Sequence, residues 1–360
     1  MALLLKDLYN ETYINLLSKS ISKHYPAFNE EKFTLYIFDA AFFQRELKSR
    51  MRHISSSLAL FLPKPYENAV AILKAAFFEM NYAFGLENMI FQDFVEVYGL
   101  DDVDISMSAL ASFTINSSSE FAIRAFILKY PQRAMKQMSQ WSQNSNEHIR
   151  RLASEGCRPR LPWAVSLPLF KQDPSEVLKI LTLLRDDESK YVRKSVANNL
   201  NDISKDNPFL IKTLLKEWLG ISSVRDSLLK HAARTLLKAS DTETLEFFGF
   251  TKPTSLLLKD FKMPTEVKMG ETLEFSFTLN TDKELGQLRI EFALHFLRKN
   301  NKHNKKVFKI AEGIYKSQDK KISKNYSFKP ISTRVYYRGL QKLSIIINGV
   351  VFKEVEFILS

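Results

Sequence analysis

The chain has 360 residues, 45% of them hydrophobic and 26% charged, which is the balance of a globular protein with room for two domains and a substantial core. No apolar run approaches the roughly 20 residues of a membrane span, and the start, Met-Ala-Leu-Leu-Leu-Lys-Asp, is too short and too soon acidic for a signal peptide. A formal net charge of +12 favours a polyanionic partner, nucleic acid above all, with a basic but inert surface as the alternative.

Residues 1 to about 100 read as helices. Phe33, Tyr36, Ile37, Ala40, Ala41 and Leu47 recur at three and four, a helical face. Pro63 and Pro65 break the pattern, Tyr66 to Phe84 resumes it, and Asp93 to Leu100 is a further apolar helix stopped near Gly99. Asp101-Asp102-Val103-Asp104 lacks the glycine and closing glutamate of a calcium loop and reads as a helix cap.

From Ser117 the chain repeats. Tyr191-Val-Arg-Lys-Ser-Val-Ala-Asn-Asn echoes His148-Ile-Arg-Arg-Leu-Ala-Ser-Glu-Gly 43 residues later, and Leu228-Leu-Lys-His-Ala-Ala-Arg-Thr-Leu is a weaker copy after 37 more. Periods of roughly 40 to 47 with helical patterning suit HEAT-like repeats, which stack helix pairs into a solenoid. Near Pro253 the period changes to two. Leu273, Phe275, Phe277 and Leu279 alternate with polar residues, as do Leu288, Ile290, Phe292, Leu294 and Phe296, then Leu343, Ile345 and Ile347. About seven half-buried strands in this stretch suit an immunoglobulin-like sandwich. The expected fold is mainly α: a HEAT-like helical repeat domain over 1–252, then an immunoglobulin-like β-sandwich over 253–360.

The sandwich region is the more basic. It holds 20 Lys and Arg against 11 Asp and Glu, where residues 1–252 hold 32 against 29. Its densest run, Arg298-Lys-Asn-Asn-Lys-His-Asn-Lys-Lys306, reads as a hairpin loop whose Lys302, Lys305 and Lys306 can lie on phosphates, or as a solvated loop tip.

One stretch combines the residue types of a reaction centre: Asn146 to Trp163. Asn146 caps a helix whose apolar face is Ile149, Leu152 and Ala153, and Gly156 suits a left-handed turn at its end. Glu155 stands in the last turn, against the negative end of the helix dipole, and Arg158, Arg160 and Trp163 follow. Asp202 follows the equivalent helix of the next repeat and reads either as a second site acid or as a turn residue. Glu120 reads as a third acid or as the end of a capping box with Ser117. Trp163 reads as packing, or as an aromatic face for a cation. Cys157, the single cysteine, excludes an intrachain disulfide and fits a reducing, cytoplasmic setting; its basic neighbours can lower its pKa, yet no histidine is placed to activate it. The six histidines show no metal spacing and ten glycines leave little room for a phosphate loop, so no metal or cofactor is expected.

His148 to Trp163 closely resembles the signature of the AlkC-type DNA alkylation repair glycosylases. Ser-Ser-Glu-Phe-Ala-Ile-Arg (118–124), Phe-Val-Glu-Val-Tyr-Gly-Leu-Asp-Asp (94–102) and Tyr191 to Asp206 resemble the same family, with Ala125 standing where proline is expected. The resemblance implies a HEAT-like solenoid that wraps damaged duplex DNA, often with a C-terminal immunoglobulin-like domain. It implies hydrolysis of the N-glycosidic bond of N3-alkylated bases, 3-methyladenine and 3-methylcytosine, without flipping the base. The family's catalytic acids carry over onto Glu120, Glu155 and Asp202, and its tryptophan onto Trp163. The flanking Arg151, Arg158, Arg160, Lys194 and Lys205 are then the expected phosphate or groove contacts. The expected partner is alkylated double-stranded DNA, bound by a monomer away from membranes. The rival reading is a non-catalytic HEAT-repeat scaffold for nucleic acid.

Overall fold

The computed structural model describes residues 4–80, 85–331 and 334–360. Among the described residues no helix is long and apolar enough to cross a membrane. The chain divides into two compact units. One holds the residues up to Asn207 together with Ser223–Ala232, and the other holds Pro208–Ser222 and Ala233–Ser360.

The first unit is helical. Asn10 and Asn29 each cap a helix, Glu11–His24 and Glu30–Ile37, by accepting a backbone N–H. The second of these ends at Ile37, so the apolar period drawn through Ala40 and Ala41 to Leu47 overruns it. Asp39 is the cause. Its carboxylate accepts from the Ala41 N–H at 3.0 Å and grips Arg45 at 2.5 and 2.7 Å. The helix resumes as Leu47–Phe61, and Tyr66–Glu79 follows after the two prolines. Phe84, where that pattern was expected to end, lies outside the described residues. Asp102 does occupy a cap position, but its side chain makes no capping bond. Its neighbours reach outward instead: Asp101 pairs with Lys129 at 2.6 Å and Asp104 with Arg133 at 2.7 Å.

The repeat offset is visible as physical contact. Helices Glu147–Glu155 and Lys190–Ile203 pack side by side, and the second packs in turn on Ser223–Ala232. His148 and Tyr191, equivalent by the 43-residue offset, have ring centroids 5.7 Å apart. Arg150 crosses to Asp187 at 2.7 and 3.0 Å, tying one repeat to the next.

In the second unit, helix Pro208–Trp218 packs on Thr242–Phe247, and Lys212 pairs with Asp241 at 2.8 Å. Among the described residues eight strands follow: β1 (Leu257–Lys262), β2 (Glu266–Val267), β3 (Thr272–Asn280), β4 (Gly286–Leu297), β5 (His303–Tyr315), β6 (Asp319–Ser327), β7 (Gly339–Ile347) and β8 (Val350–Leu359). They form a three-stranded sheet, β1-β3-β6, and a five-stranded sheet, β2-β8-β7-β4-β5. All pairs are antiparallel except β2 with β8.

The alternating residues of β3, β4 and β7 form one core, closed by Phe328 and Phe357. β4 is not half-buried, however. Arg289 and Glu291 on its other face are also buried, paired to each other at 2.6 Å, with Arg289 on Glu312 at 2.7 Å. Residues just before the strands are tied to this sheet: Gln287 donates to the Phe248 carbonyl and Asn348 to that of Thr251.

Candidate active site

Glu155 is the last residue of helix Glu147–Glu155, which Asn146 caps by accepting the His148 N–H at 2.9 Å. Asp202 lies inside the final turn of helix Lys190–Ile203, not after it, so the turn reading of Asp202 falls. Both acids therefore stand at the negative ends of helix dipoles. Both are also buried, with 6% and 1% of their surface exposed. Burying two carboxylates there is costly without cations within contact distance.

Arg158 supplies the first. Its Nη1 donates to Glu155 Oε1 at 2.6 Å, and its Nε and Nη2 both lie 2.8 Å from Asp202 Oδ2. Burial pulls its pKa down, but the two carboxylates more than offset this and hold it above the ordinary arginine value. Lys205 covers the other oxygen of Asp202 at 3.0 Å, and Ser195 donates to Glu155 Oε2 at 2.7 Å. Arg151 supplies the second guanidinium. It meets Glu120 through Nη2–Oε1 at 3.0 Å and Nη1–Oε2 at 2.9 Å, lies 3.8 Å from Glu155 Oε1, and rests over the Tyr191 ring. Glu120, Glu155 and Asp202 thus belong to one alternating chain of charges.

The capping-box reading of Glu120 also falls. The following helix starts at Ile123 with Ala122 at its cap, and the Ser117 hydroxyl is spent on the Gly85 carbonyl at 3.3 Å. Nor does Gly156 supply a left-handed turn, since its φ is −63°. A Cβ there would lie 2.6 Å from Ile123 Cγ2 and 3.1 Å from Met138 Cε, so glycine is required for space.

Two residues of the site carried no role in the sequence. Ser195 has no charge to mark it. Arg124 lies within a motif of the family but gives no local clue to its use. It is buried, and its guanidinium binds three carbonyls: Val165 at 2.6 Å, Gly156 at 3.0 Å and Arg158 at 2.8 Å. Those bonds shape the segment that carries Arg158 and Trp163. Burial brings the Arg124 pKa down to about 10.

Trp163 is placed differently from the acids. It is 71% exposed, has φ +64°, and its carbonyl is held by Lys48. With Phe121, Leu128, Asp93 and Arg52 it lines a cavity of about 560 Å³. The packing reading of Trp163 is therefore lost. The nucleophile reading of Cys157 is lost too. The thiol is wholly buried, donates to the Ala153 carbonyl at 3.2 Å, and burial pushes its pKa up to about 12 despite the cation of Arg124.

The expected DNA-contacting cations fall into two groups. Arg158 is 6% exposed and Arg151 is held by Glu120, so both serve the carboxylates in this structure. Arg160 is exposed and pairs with Asp206 at 2.6 and 3.0 Å. Lys194 is exposed and lines a groove with Lys190, Arg193 and His231. In the β region the basic run is only half a loop: the turn ends at Lys302, while Lys305 and Lys306 lie on β5. All three are exposed, and Lys306 shares a groove with Arg298, Lys299 and Arg334.

Residues 111–239 match the family described as DNA alkylation repair enzyme, and residues 258–360 match the C-terminal Ig-like domain of YhaZ. The YhaZ protein of Bacillus subtilis (strain 168) is 45% identical over 359 residues, 98% of each chain. Among solved structures, the Pseudomonas fluorescens alkylpurine DNA glycosylase AlkC, bound to DNA containing an abasic site analog, superposes with a TM-score of 0.92. It is 32% identical, over 99% of each chain. The chain belongs to the AlkC-type DNA alkylation repair family.

Proposed function

We propose that this chain is a DNA glycosylase that hydrolyses the N-glycosidic bond of cationic N3-alkylated bases, 3-methyladenine and 3-methylcytosine, in duplex DNA. One observation carries the reading. Three carboxylates from separate elements are gathered, almost fully buried, into one network. A phosphate-binding scaffold gains nothing from acids placed there.

The chemistry accounts for the residue types. An N3-alkylated base is already cationic and leaves without being protonated, so no general acid is needed. Positive charge develops on the deoxyribose as the bond breaks. Fixed carboxylates in a dry site stabilise that charge well, and one of them can orient or deprotonate the attacking water. We assign these roles to Glu155 and Asp202, with Glu120 supporting, and give the exposed indole of Trp163 a face for the cation. Water as the only nucleophile makes the enzyme monofunctional.

Residues 1–252 then act as the catalytic domain and 253–360 as a second, basic DNA-binding domain. Arg160, Lys194 and Lys205, with Lys302, Lys305 and Lys306, contact the backbone of alkylated duplex DNA. The enzyme acts as a monomer in the cytoplasm, the reducing compartment that a lone thiol fits.

The test is a duplex with a single alkylated base, incubated with the protein and then divided. A strand that breaks only after alkali contains an abasic site left by hydrolysis, as proposed. Breakage without alkali contradicts monofunctional action, and no breakage in either half contradicts glycosylase action.

A further inference from the structure

We propose that Arg158 and Ser195 are positioning residues for this reaction, and that Arg158 is not a phosphate contact. The inference rests on the glycosylase reading and assigns these two residues to the same site.

The hydrogen bonds make the case. Each oxygen of Glu155 has a donor from a different element: Oε1 from Arg158 Nη1 at 2.6 Å, Oε2 from Ser195 Oγ at 2.7 Å. Ser195 is itself fixed, because Ser154 Oγ lies 2.7 Å from its oxygen and the residue is 3% exposed. A carboxylate held at both oxygens cannot rotate. Its charge stays pointed in one direction, which is what stabilising a transient cation requires.

Arg158 does the same for the pair of acids. Its three nitrogens span Glu155 and Asp202, and its own carbonyl is bound by Arg124 at 2.8 Å. A guanidinium keeps its proton throughout, so the bridge always has its cation. To reach a phosphate, Arg158 would have to leave Glu155 with only Arg151, 3.8 Å away, and Asp202 with only Lys205. The Oδ1 of Asp202 is covered by Lys205, whose side chain is 38% exposed. Lys205 can turn to DNA without dismantling the network; Arg158 cannot.

The test uses the full chain with Arg158→Lys and, separately, Ser195→Ala, which removes one hydroxyl and no charge. Single-turnover base release is measured alongside Kd for an abasic duplex at several salt concentrations. Positioning predicts a release rate at least about tenfold lower for Arg158→Lys and about three- to tenfold lower for Ser195→Ala. Kd and its salt dependence stay at wild-type values in both. A phosphate contact predicts the reverse for Arg158→Lys: weaker binding, a salt slope smaller by about one, and a normal release rate; that result overturns the proposal. If Arg158→Lys does not fold, Ser195→Ala decides alone, and a wild-type rate there overturns it. The parent protein is run in parallel. Failure of the parent to release base counts against the glycosylase reading, whereas an active parent with two fully active variants counts against positioning alone.

Discussion

Arg158 and Asp202 are 44 residues apart in sequence, yet two nitrogens of the guanidinium lie 2.8 Å from one carboxylate oxygen. The bond joins the segment after one repeat helix to the last turn of the next. It is also why a carboxylate can be 1% exposed at the negative end of a helix. Removing one member of such a buried pair costs about 3–5 kcal/mol, because the other is left uncompensated.

The acids can therefore be tested only by substitutions that keep their shape. Glu155→Gln and Asp202→Asn should each lower the rate of base release by at least about tenfold. Affinity for an abasic duplex should stay near the parent value, since both side chains are buried among their own cations. Rates and affinities measured together on the two variants check this, and parent-like rates would remove both residues from the reaction.

Trp163 makes a prediction of opposite sign for stability. A non-glycine residue at φ +64° stores about 1 kcal/mol or more of backbone strain, and an indole 71% exposed returns little by burial. Trp163→Gly should leave the melting temperature equal or higher while base release falls. A lower melting temperature would mean that the tryptophan is structural.

Cys157 should be inert. Burial pushes its pKa up to about 12, so the thiol stays protonated near neutral pH. Iodoacetamide should leave the folded protein unlabelled over hours and label it at once in denaturant. Cys157→Ser should release base normally. Rapid labelling of the folded chain with loss of activity would restore the thiol as a candidate nucleophile.

The sequence made legible much that depends on period, though the helical period through Ala40 and Ala41 overran its helix. The alternation in β3, β4 and β7 was read directly, because a strand exposes its faces every second residue. The 43-residue offset was read because equivalent helices must pack alike, and the His148–Tyr191 contact follows from it. What was hidden depends on partners far along the chain. Ser117 and Glu120 have the spacing of a capping box, but Gly85 takes the serine and Arg151 the acid. Arg289 and Glu291 read as an exposed face of β4, but each neutralises the other in the interior. Arg158 looked like a DNA contact because its two carboxylates lie 3 and 44 residues away, and only folding brings them to it.

The basic run of the β region should act through charge alone. Replacing Lys302, Lys305 and Lys306 together by serine should reduce the slope of log affinity against log salt by about 2 to 3 if all three lie on phosphates. This substitution is cleaner than deleting residues 253–360, which would strip partners from the Phe248 and Thr251 carbonyls. Binding isotherms at four or five salt concentrations measure the slope, and an unchanged slope would show that the run is idle.

The most direct test is to identify the released product. Duplex DNA treated with a methylating agent is incubated with the protein, the DNA is precipitated, and the bases left in solution are separated and identified. Release of 3-methyladenine and 3-methylcytosine by the parent protein, with little or none from Asp202→Asn, is the predicted result. Tight binding of the same duplex with no methylated base in solution would contradict it and leave a DNA-binding scaffold.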